Sequence, residues 1–264
     1  MKIVELNEEL MPDYLCCLEE WSDEFKEAGD HKACWTEKML ARGLRVFFAL
    51  DDQGVAGGMI QALPIEQSFV LGQDLYMVLC IWVHPHQKKG RGNFRKQGMG
   101  RALLAAAEED AKSRGALGMA AWGLSLPFWM KASWFKKYGY QKAQSQGFLG
   151  PVLLFKPFSP EAQPPKWPHP QPGPEPIEGK VRVTALCSGW CPIMGMTFER
   201  AKRAASELGD RVVFEGIITD EPEVQAQWGL ADDLRIDGKS IGQGPPLSYD
   251  KIKKQIAKRV KKLA

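Results

Sequence analysis

A basic, glycine-rich loop near the middle of the chain carries residue types that bind phosphate. An apolar run at 75–83 precedes this loop, and apolar residues at helical spacing follow it as far as Arg114-Gly115. Glycines let the backbone approach an anion closely, and the unpaired N–H groups of a first helical turn point toward it. Strand, loop and helix together predict a phosphate-binding site, to which basic side chains add positive charge. The loop residues are Arg95, Lys96, Gln97, Gly98, Met99, Gly100 and Arg101.

Two common phosphate-binding motifs do not fit this loop. A dinucleotide-binding loop needs a third glycine where this chain has Leu103, and a P-loop ends in Gly-Lys-Ser or Gly-Lys-Thr, which this loop lacks. The pattern that remains is Arg-x-x-Gly-x-Gly, from Arg95 to Gly100, between a buried strand and a helix.

Four further side chains could take part in acid–base or covalent chemistry. Glu66, Asp74 and His84 are candidates for a general base that removes a proton from a substrate, directly or through water; we interpret His84 as structural. Cys80 lies in the apolar run and could accept an acyl group. A buried, inert thiol is the favoured interpretation of Cys80.

The elements that would position these residues form a mixed α/β domain of about 155 residues. Residues 1–45 are predicted to be mainly helical, with one amphipathic helix over 8–27 and a short one over 36–42. Three strands, a helix, a strand, a helix and a last strand then follow up to Phe155. Predicted strands are 44–50, 55–63, 75–83, 118–122 and 150–155, and predicted helices are 99–114 and 127–137.

Length, charge and cysteine content restrict the class of protein. A chain of 264 residues favours two domains, and a net charge of +3 gives no argument for nucleic acid. No apolar run approaches the roughly 20 residues of a membrane-spanning helix, and the acidic start lacks the apolar core of a signal peptide. Six cysteines in a chain of this length do not form a disulfide framework. We therefore expect a cytoplasmic protein with reduced thiols and neither a nucleic-acid nor a membrane partner.

A proline-rich segment separates the first domain from a smaller second one. Residues 157–176 contain nine of the 18 prolines, which excludes regular helix and sheet. We predict a semi-rigid linker over 157–179, although a partner-binding role is also open. After it, the order strand, helix, strand, helix, hairpin, helix predicts a compact α/β domain over 180–264. Its predicted elements are strands at 181–186 and 212–218, helices at 197–208 and 221–228, a hairpin at 234–241 and a helix from 248.

Residues 1–156 resemble the GCN5-related N-acetyltransferases (the GNAT family). Arg95, Gly98 and Gly100 stand at the defining positions of that family's motif A, and Val83-His84-Pro85 resembles the end of its fourth strand. The resemblance implies that the backbone amides of Gln97 to Arg101 hold the pyrophosphate of acetyl-CoA. It also implies that Ile81, Trp82 and Val83 splay from the neighbouring strand and pair with the pantetheine arm. Acetyl-CoA would be the co-substrate, with no metal, and a small-molecule or peptide amine would accept the acetyl group.

Two features depart from the family's pattern. Many members have a tyrosine that protonates the leaving thiolate where this chain has Phe135; Tyr138 could substitute, or water could. A basic insertion at 86–94 could cover the 3′-phosphate of CoA, contact an acidic substrate or be a solvated loop. The aromatic segment 122–135 would line the acceptor side, or form a heavily packed core.

The second domain resembles small thioredoxin-like folds. Trp190-Cys191-Pro192 opens a predicted helix where such folds have their active-site turn, but the second cysteine of that turn and the usual cis-proline are missing. A helix start should lower the pKa of the Cys191 thiol, so a redox role for Cys191, alone or with Cys187, is one interpretation. A binding or structural module is the favoured one. The two domains together are similar to YoaP-like acetyltransferases, with turns at 236–238 and 244–246 where such domains have comparable ones.

The sequence therefore predicts an acetyl-CoA-dependent N-acyltransferase with domains at 1–156 and 180–264. The rival interpretation is a non-catalytic, CoA-binding regulatory protein whose thioredoxin-like module carries thiols. Phe135 favours the rival, and the intact Arg95, Gly98 and Gly100 favour the enzyme.

Overall fold

A computed structural model describes residues 1–125, 129–147, 150–241 and 246–263. The chain divides into two compact units: Met1–Trp21 with Lys38–Pro168, and Ser22–Glu37 with His169–Ala264. This division differs from the boundaries expected from the sequence, because it assigns Ser22–Glu37 to the second unit and ends the first unit at Pro168.

The first unit is built on a seven-stranded sheet of order β1-β2-β3-β4-β5-β7-β6. Neighbouring strands are antiparallel except β4 and β5, which are parallel. The sheet is therefore mixed, as the sequence predicts. Its strands are β1 (Lys2–Glu5), β2 (Arg45–Leu50), β3 (Ala56–Pro64), β4 (Leu75–Val83), β5 (Gly118–Leu124), β6 (Gln141–Ser145) and β7 (Pro151–Pro157).

One long helix packs against a face of this sheet and positions the glycine-rich loop. Apolar residues at three- and four-residue spacing, from Leu103 to Ala111, are fully buried against the sheet. The confirmed strand 75–83 and this helix flank the loop as expected. The helices that begin in residues 1–168 are α1 (Met11–Leu15), α2 (His31–Ala41), α3 (Met99–Ser113) and α4 (Ala132–Lys136).

The amino-terminal region corrects the expectation of a long first helix. Only α1 and a 3₁₀ turn at Asp23–Ala28 form within the predicted helix 8–27. Cys17 and Leu18 adopt left-handed φ angles of +53° and +62°, which end the helix. The apolar side chains of the predicted helix are therefore divided between α1 and the 3₁₀ segment.

Two short strands were also missed. β1 and β6 are the edge strands of the sheet, four and five residues long, so their hydrophobic pattern is weak. Each becomes a strand by pairing with a neighbour that the sequence does predict: Lys2–Glu5 pairs with β2, and Gln141–Ser145 with β7.

The second unit contains a four-stranded sheet of order β11-β10-β8-β9, in which β8 and β9 are parallel. The predicted order of elements is confirmed. The first helix begins at Pro192, five residues before the expected Thr197, because proline is well suited to the first position of a helix. The elements are β8 (Val181–Cys187), α5 (Pro192–Glu207), β9 (Val212–Ile218), α6 (Pro222–Trp228), β10 (Asp233–Ile236), β11 (Lys239–Ser240) and α7 (Tyr249–Val260).

Backbone hydrogen bonds hold part of the proline-rich segment in place. In the first unit, Leu71 and Lys166 exchange two hydrogen bonds of 2.8 Å, and Trp167 is buried. In the second unit, the Gln171 amide donates to the Trp228 carbonyl. Each end of the segment is therefore tied to its own unit.

None of the helices in the described part of the chain has the length and apolar character that crossing a membrane requires.

Candidate functional site

The parallel ladder between β4 and β5 opens before either strand ends. The last paired residues are Val78 and Ala121, yet β4 continues to Val83 and β5 to Leu124. A register shift in the β3–β4 ladder near Gln61 marks a bulge in β4, and bulges bend a strand away from its neighbour. The backbone of β4 beyond Val78 therefore faces a gap on its β5 side.

Side chains rather than backbone partners satisfy the backbone groups at this gap. The Trp122 indole donates to the Leu79 carbonyl at 2.8 Å, and the Ile81 amide donates to the Met130 sulfur at 3.4 Å. Thioether sulfur is a weak acceptor, so a ligand carbonyl could readily replace Met130 on the Ile81 amide. No local sequence pattern singled out Met130, which adopts a left-handed φ of +49°.

The glycine-rich loop ends at Gly98, the N-cap of α3. Gly98 has a φ of +85°, and a Cβ built on it would meet nothing within 4 Å. Asn93 organises the start of the loop, because its side chain accepts from the Arg95 amide at 3.0 Å and its carbonyl from the Gln97 side chain at 3.0 Å. The loop thus presents open space in front of the α3 N-terminus.

This geometry fits a phosphate-bearing ligand. The first helical hydrogen bond runs from the Ala102 amide to the Gly98 carbonyl, so the amides of residues 99–101 have no acceptor within the helix. They point out of the positive end of the helix dipole. The side chains of Arg95, Lys96 and Arg101 are exposed beside them.

Aromatic side chains of α4 and the turn after it lie next to the α3 N-terminus. A Cβ on Gly100 would be 3.3 Å from the Trp134 ring, and the ring centroids of Trp134 and Tyr138 are 4.8 Å apart. Tyr138 is partly buried, whereas Phe135 is fully buried in the core. Phe135 therefore cannot serve as a proton donor by chemistry or by position, and Tyr138 is the phenol near the loop.

The basic insertion 86–94 is anchored and not simply solvated. The guanidinium of Arg91 forms a two-point ion pair with Asp13 at 2.7 and 2.8 Å and contacts Glu20 at 3.0 Å. These hydrogen bonds raise the pKa of Arg91 above its ordinary value. Phe94, at the end of the insertion, is buried against Gly57.

The candidate bases from the sequence occupy structural or peripheral positions. Glu66 accepts from the Asp74 amide at 2.7 Å, and both residues are exposed. His84 is fully buried and its Nδ1 contacts the Gly92 carbonyl, so it holds the insertion in place. Cys80 is buried in β4, across from Gln61.

Glu19 is a buried carboxyl that the sequence did not single out. It is 7 % exposed, and burial raises its pKa to about 7. The indole N–H groups of Trp21 and Trp82 lie beside it and partly offset the burial, yet Glu19 Oε1 has no hydrogen bond of normal geometry. A helix over 8–27 would place Glu19 on the solvent side; the left-handed Cys17 and Leu18 turn it inward.

The cysteines of the second unit are both buried. Cys191 is the N-cap of α5, and Cys187 ends β8. Burial raises the pKa of the Cys187 thiol well above its ordinary value. Nearby, burial raises the pKa of Asp232 to about 6, although both the amide and the hydroxyl of Ser188 donate to its carboxyl.

Some expected features fall outside the described residues. Residues 126–128 of the aromatic segment and 242–245, which include Gly244-Pro245, are among them. Within the described ranges, no group of three or more His, Cys, Asp or Glu side chains could hold a metal ion.

One family model matches part of the chain. Residues 42–142, which run from the end of α2 into β6, match the family model of the acetyltransferase (GNAT) domain. This stretch contains the opened ladder and the glycine-rich loop. A search of curated proteins found no match.

Solved structures of acetyltransferases are similar to part of the chain at low identity. A GNAT family acetyltransferase from Brucella melitensis in complex with acetyl-CoA is 16% identical, over 62% of this chain and 90% of its own, with a TM-score of 0.41. The PaiA N-acetyltransferase from Thermoplasma acidophilum in complex with coenzyme A is 17% identical, over 60% and 98%, with a TM-score of 0.43. The aminoglycoside 6′-N-acetyltransferase from Enterococcus faecium is 18% identical, over 62% and 100%, with a TM-score of 0.43.

Proposed function

We propose that the first unit is an acetyl-CoA-dependent N-acyltransferase that moves an acetyl group directly to an amine. The observation that carries the proposal is the gap between β4 and β5 beyond Val78, together with the α3 N-terminus and its unpaired amides. The family-model match over residues 42–142 supports the same class of protein.

The glycine-rich loop and the β4 edge would bind different parts of acetyl-CoA. The amides of residues 99–101 would bind the pyrophosphate, with Arg95, Lys96 and Arg101 neutralising its charge. Gln97 and Gly98 complete the loop, and the open space at Gly98 admits the phosphates. The β4 edge over 81–83 would pair with the pantetheine arm, the Ile81 amide replacing its Met130 contact. When bound, acetyl-CoA supplies an activated acetyl thioester.

The chemistry requires an uncharged amine next to the β4 edge. Its nitrogen attacks the thioester carbonyl, the new C–N bond forms, and the C–S bond breaks with its electron pair leaving on sulfur. The nitrogen loses a proton as the amide forms, and a proton must reach the sulfur; Tyr138, which packs on Trp134 beside Gly100, is the candidate donor. The acceptor would be a small-molecule or peptide amine.

One observation favours a rival function. Phe135 is fully buried where an acid is common, so a CoA-binding domain without turnover, regulating through the second unit, is the alternative. For the second unit we propose a thioredoxin-like module, supported by its parallel β8–β9 pair and by Cys191 at the N-cap of α5. The buried thiols favour a binding module over a redox one.

Calorimetric titration with acetyl-CoA tests the loop assignment. Gly98→Glu places a side chain and a negative charge in the phosphate space, and we expect at least a tenfold loss of affinity, or about 1.4 kcal/mol. Gly115→Glu is the matched control: Gly115 follows the C-terminus of the same helix, has a φ of +80° and also has nothing within 4 Å. Equal affinities for the two variants would contradict the assignment.

A turnover screen separates the enzyme from its rival. Wild-type protein is incubated with acetyl-CoA and a panel of amines, amino acids, polyamines and peptides, and released CoA thiol is measured. Binding of acetyl-CoA without amine-dependent thiol release would support the regulatory alternative.

A further inference from the structure

Four buried polar atoms without hydrogen-bond partners lie near the opened end of β4. None of them forms a hydrogen bond of normal geometry with any part of the chain that the structure describes. Folded proteins leave few such atoms, and a concentration of them indicates a place for a polar ligand or water. The atoms are Glu19 Oε1, Trp21 Nε1, Trp82 Nε1 and His84 Nε2.

These atoms belong to one site, which we call the Glu19 pocket. The indoles of Trp21 and Trp82 both lie beside the Glu19 carboxyl. A Cβ built on Gly90 would be 2.4 Å from Trp21 Cδ1 and 2.9 Å from His84 Nε2, so Trp21 and His84 both pack closely against Gly90. Gly90, which has no side chain, closes the pocket next to Trp21 and His84.

The Glu19 pocket lies across the sheet from the glycine-rich loop. Ile81 and Val83 pack with the core under α3, and side chains alternate along a strand, so Trp82 projects from the opposite face. The carboxyl beside Trp82 is therefore separated from the proposed phosphate site by β4 itself. An acceptor and a CoA thioester could reach the same stretch of β4 from opposite faces.

Local backbone strain holds Glu19 in this place. Cys17 and Leu18, immediately before it, both have left-handed φ angles. Such conformations cost on the order of 1–3 kcal/mol each and persist where the surroundings enforce them, often at functional sites. Tyr14 reinforces the segment from the preceding turn, because its hydroxyl donates to buried Gln61 on β3 at 2.6 Å.

We propose that the Glu19 pocket binds the acceptor as a primary ammonium and that the Glu19 carboxylate takes its proton. This inference rests on the proposed acyltransferase function. The amine N–H bond breaks, its electron pair stays on nitrogen, and an O–H bond forms on Glu19. The neutral amine then attacks the thioester carbonyl and the C–S bond breaks. The proton that the nitrogen loses as the amide forms passes to the CoA thiolate, and Glu19 returns its own proton to solvent.

The partners of Glu19 suit this role. The Nδ1 atom of His84 contacts the Gly92 carbonyl and therefore carries its hydrogen, so a neutral His84 offers a second acceptor at Nε2. The indole N–H groups of Trp21 and Trp82 lie beside the carboxyl and favour its charged form. The raised pKa of Glu19, about 7, suits a base that must both take up and release a proton near neutral pH.

The surrounding charges favour an acceptor with a single positive charge. The Lys89 ammonium lies 4.8 Å from the centre of the Trp21 ring, while the charge of Arg91 is offset by Asp13 and Glu20. A second ammonium on the ligand would meet Lys89, whereas an alkyl chain would meet indole. The titratable and charged groups around the pocket are Asp13, Glu20, His84, His86, Lys89 and Arg91.

The first test follows the indole N–H signals of protein labelled with ¹⁵N-tryptophan, assigned with Trp21→Phe and Trp82→Phe. We expect both signals to shift with a midpoint near pH 7 and to shift again on adding n-butylammonium chloride without acetyl-CoA. Both responses should disappear in Glu19→Gln. They should persist in Glu9→Gln, a control that removes an exposed carboxylate of the same amino-terminal region.

The second test measures amine-dependent release of CoA thiol from acetyl-CoA with n-butylamine between pH 5.5 and 9. Glu19→Gln should lower kcat/KM by about 100-fold or more and remove the acid limb of the pH profile, without changing acetyl-CoA affinity. Glu9→Gln should stay close to wild type. 1,4-Diaminobutane, with its second charge, should be the poorer substrate.

The outcomes separate this proposal from the proposed function. Indole signals that do not respond to n-butylammonium, no amine-dependent thiol release, or a Glu19→Gln variant with the wild-type rate and pH profile would each overturn it. Failure of acetyl-CoA to bind in calorimetry would instead refute the proposed function, while the indole titration would still report on the pocket.

Discussion

The ion pair between Arg91 and Asp13 should stabilise the first unit more than an ordinary surface pair. Two parallel N–H···O hydrogen bonds of 2.7 and 2.8 Å join the groups, and the Arg91 side chain is only 13% exposed. Charge-assisted hydrogen bonds contribute about 1.5–3 kcal/mol each, but desolvation of the guanidinium offsets part of this. We therefore expect Arg91→Met to lower the free energy of unfolding by about 2–3 kcal/mol.

A double-mutant cycle isolates the pair itself. Asp13→Asn, Arg91→Met and the double variant are unfolded in urea and followed by tryptophan fluorescence. The coupling energy should be about 1.5–2 kcal/mol, above the 0.2–1 kcal/mol of exposed pairs. Arg91→Lys should recover only part of it, because an ammonium cannot make the two-point contact.

Lys88, in the same insertion, provides the control for this prediction. Lys88 is exposed, so Lys88→Met should change the unfolding free energy by no more than about 0.5 kcal/mol. A coupling energy below about 0.5 kcal/mol would refute the conclusion that Arg91 anchors the insertion, and would restore its interpretation as a solvated loop.

Three further predictions concern burial. Burial raises the folded-state pKa of Asp232 to about 6. The stability linked to its protonation is therefore fully present below about pH 4 and is lost as pH rises through 6. In urea unfolding, the free energy of unfolding of wild type, relative to that of Asp232→Asn, should rise by about 1 kcal/mol when the pH is lowered from 7.5 to 5. Iodoacetamide at pH 8 should label exposed Cys34 and spare Cys187, whose thiol pKa is raised by burial; equal labelling by mass spectrometry would argue against this placement. Gly57→Ala would put a methyl carbon 2.4 Å from the Phe94 ring and should cost about 1–3 kcal/mol in thermal or urea unfolding, and an unchanged midpoint would contradict that packing.

Hydrophobic periodicity was sufficient for the centre of the fold. The run 75–83 and the helical spacing after Gly98 are strong signals because β4 is buried in the middle of the sheet and α3 buries one full stripe. The loop between them is local in sequence, so its residue types and its place before a helix could be recognised together. The order of elements in the second unit was predictable for the same reason.

Edge elements and polar roles depended on tertiary structure. β1 and β6 are strands only because a neighbour supplies their hydrogen bonds. The basic character of 86–94 predicted solvent or an anion, whereas Asp13, over 70 residues away, binds its arginine. No local pattern encodes a partner at that separation.

The sequence by itself determined the central strand, the glycine-rich loop and the helix after it, because the pattern that specifies each element lies in residues adjacent along the chain. Only the tertiary structure decided which carboxyl faces the opened strand. A regular helix over 8–27 would place Glu19 in water; the two left-handed residues before it, and the burial against Trp82, place it beside β4. Conformation at two residues and packing across the sheet thus separate an ordinary surface glutamate from a candidate base.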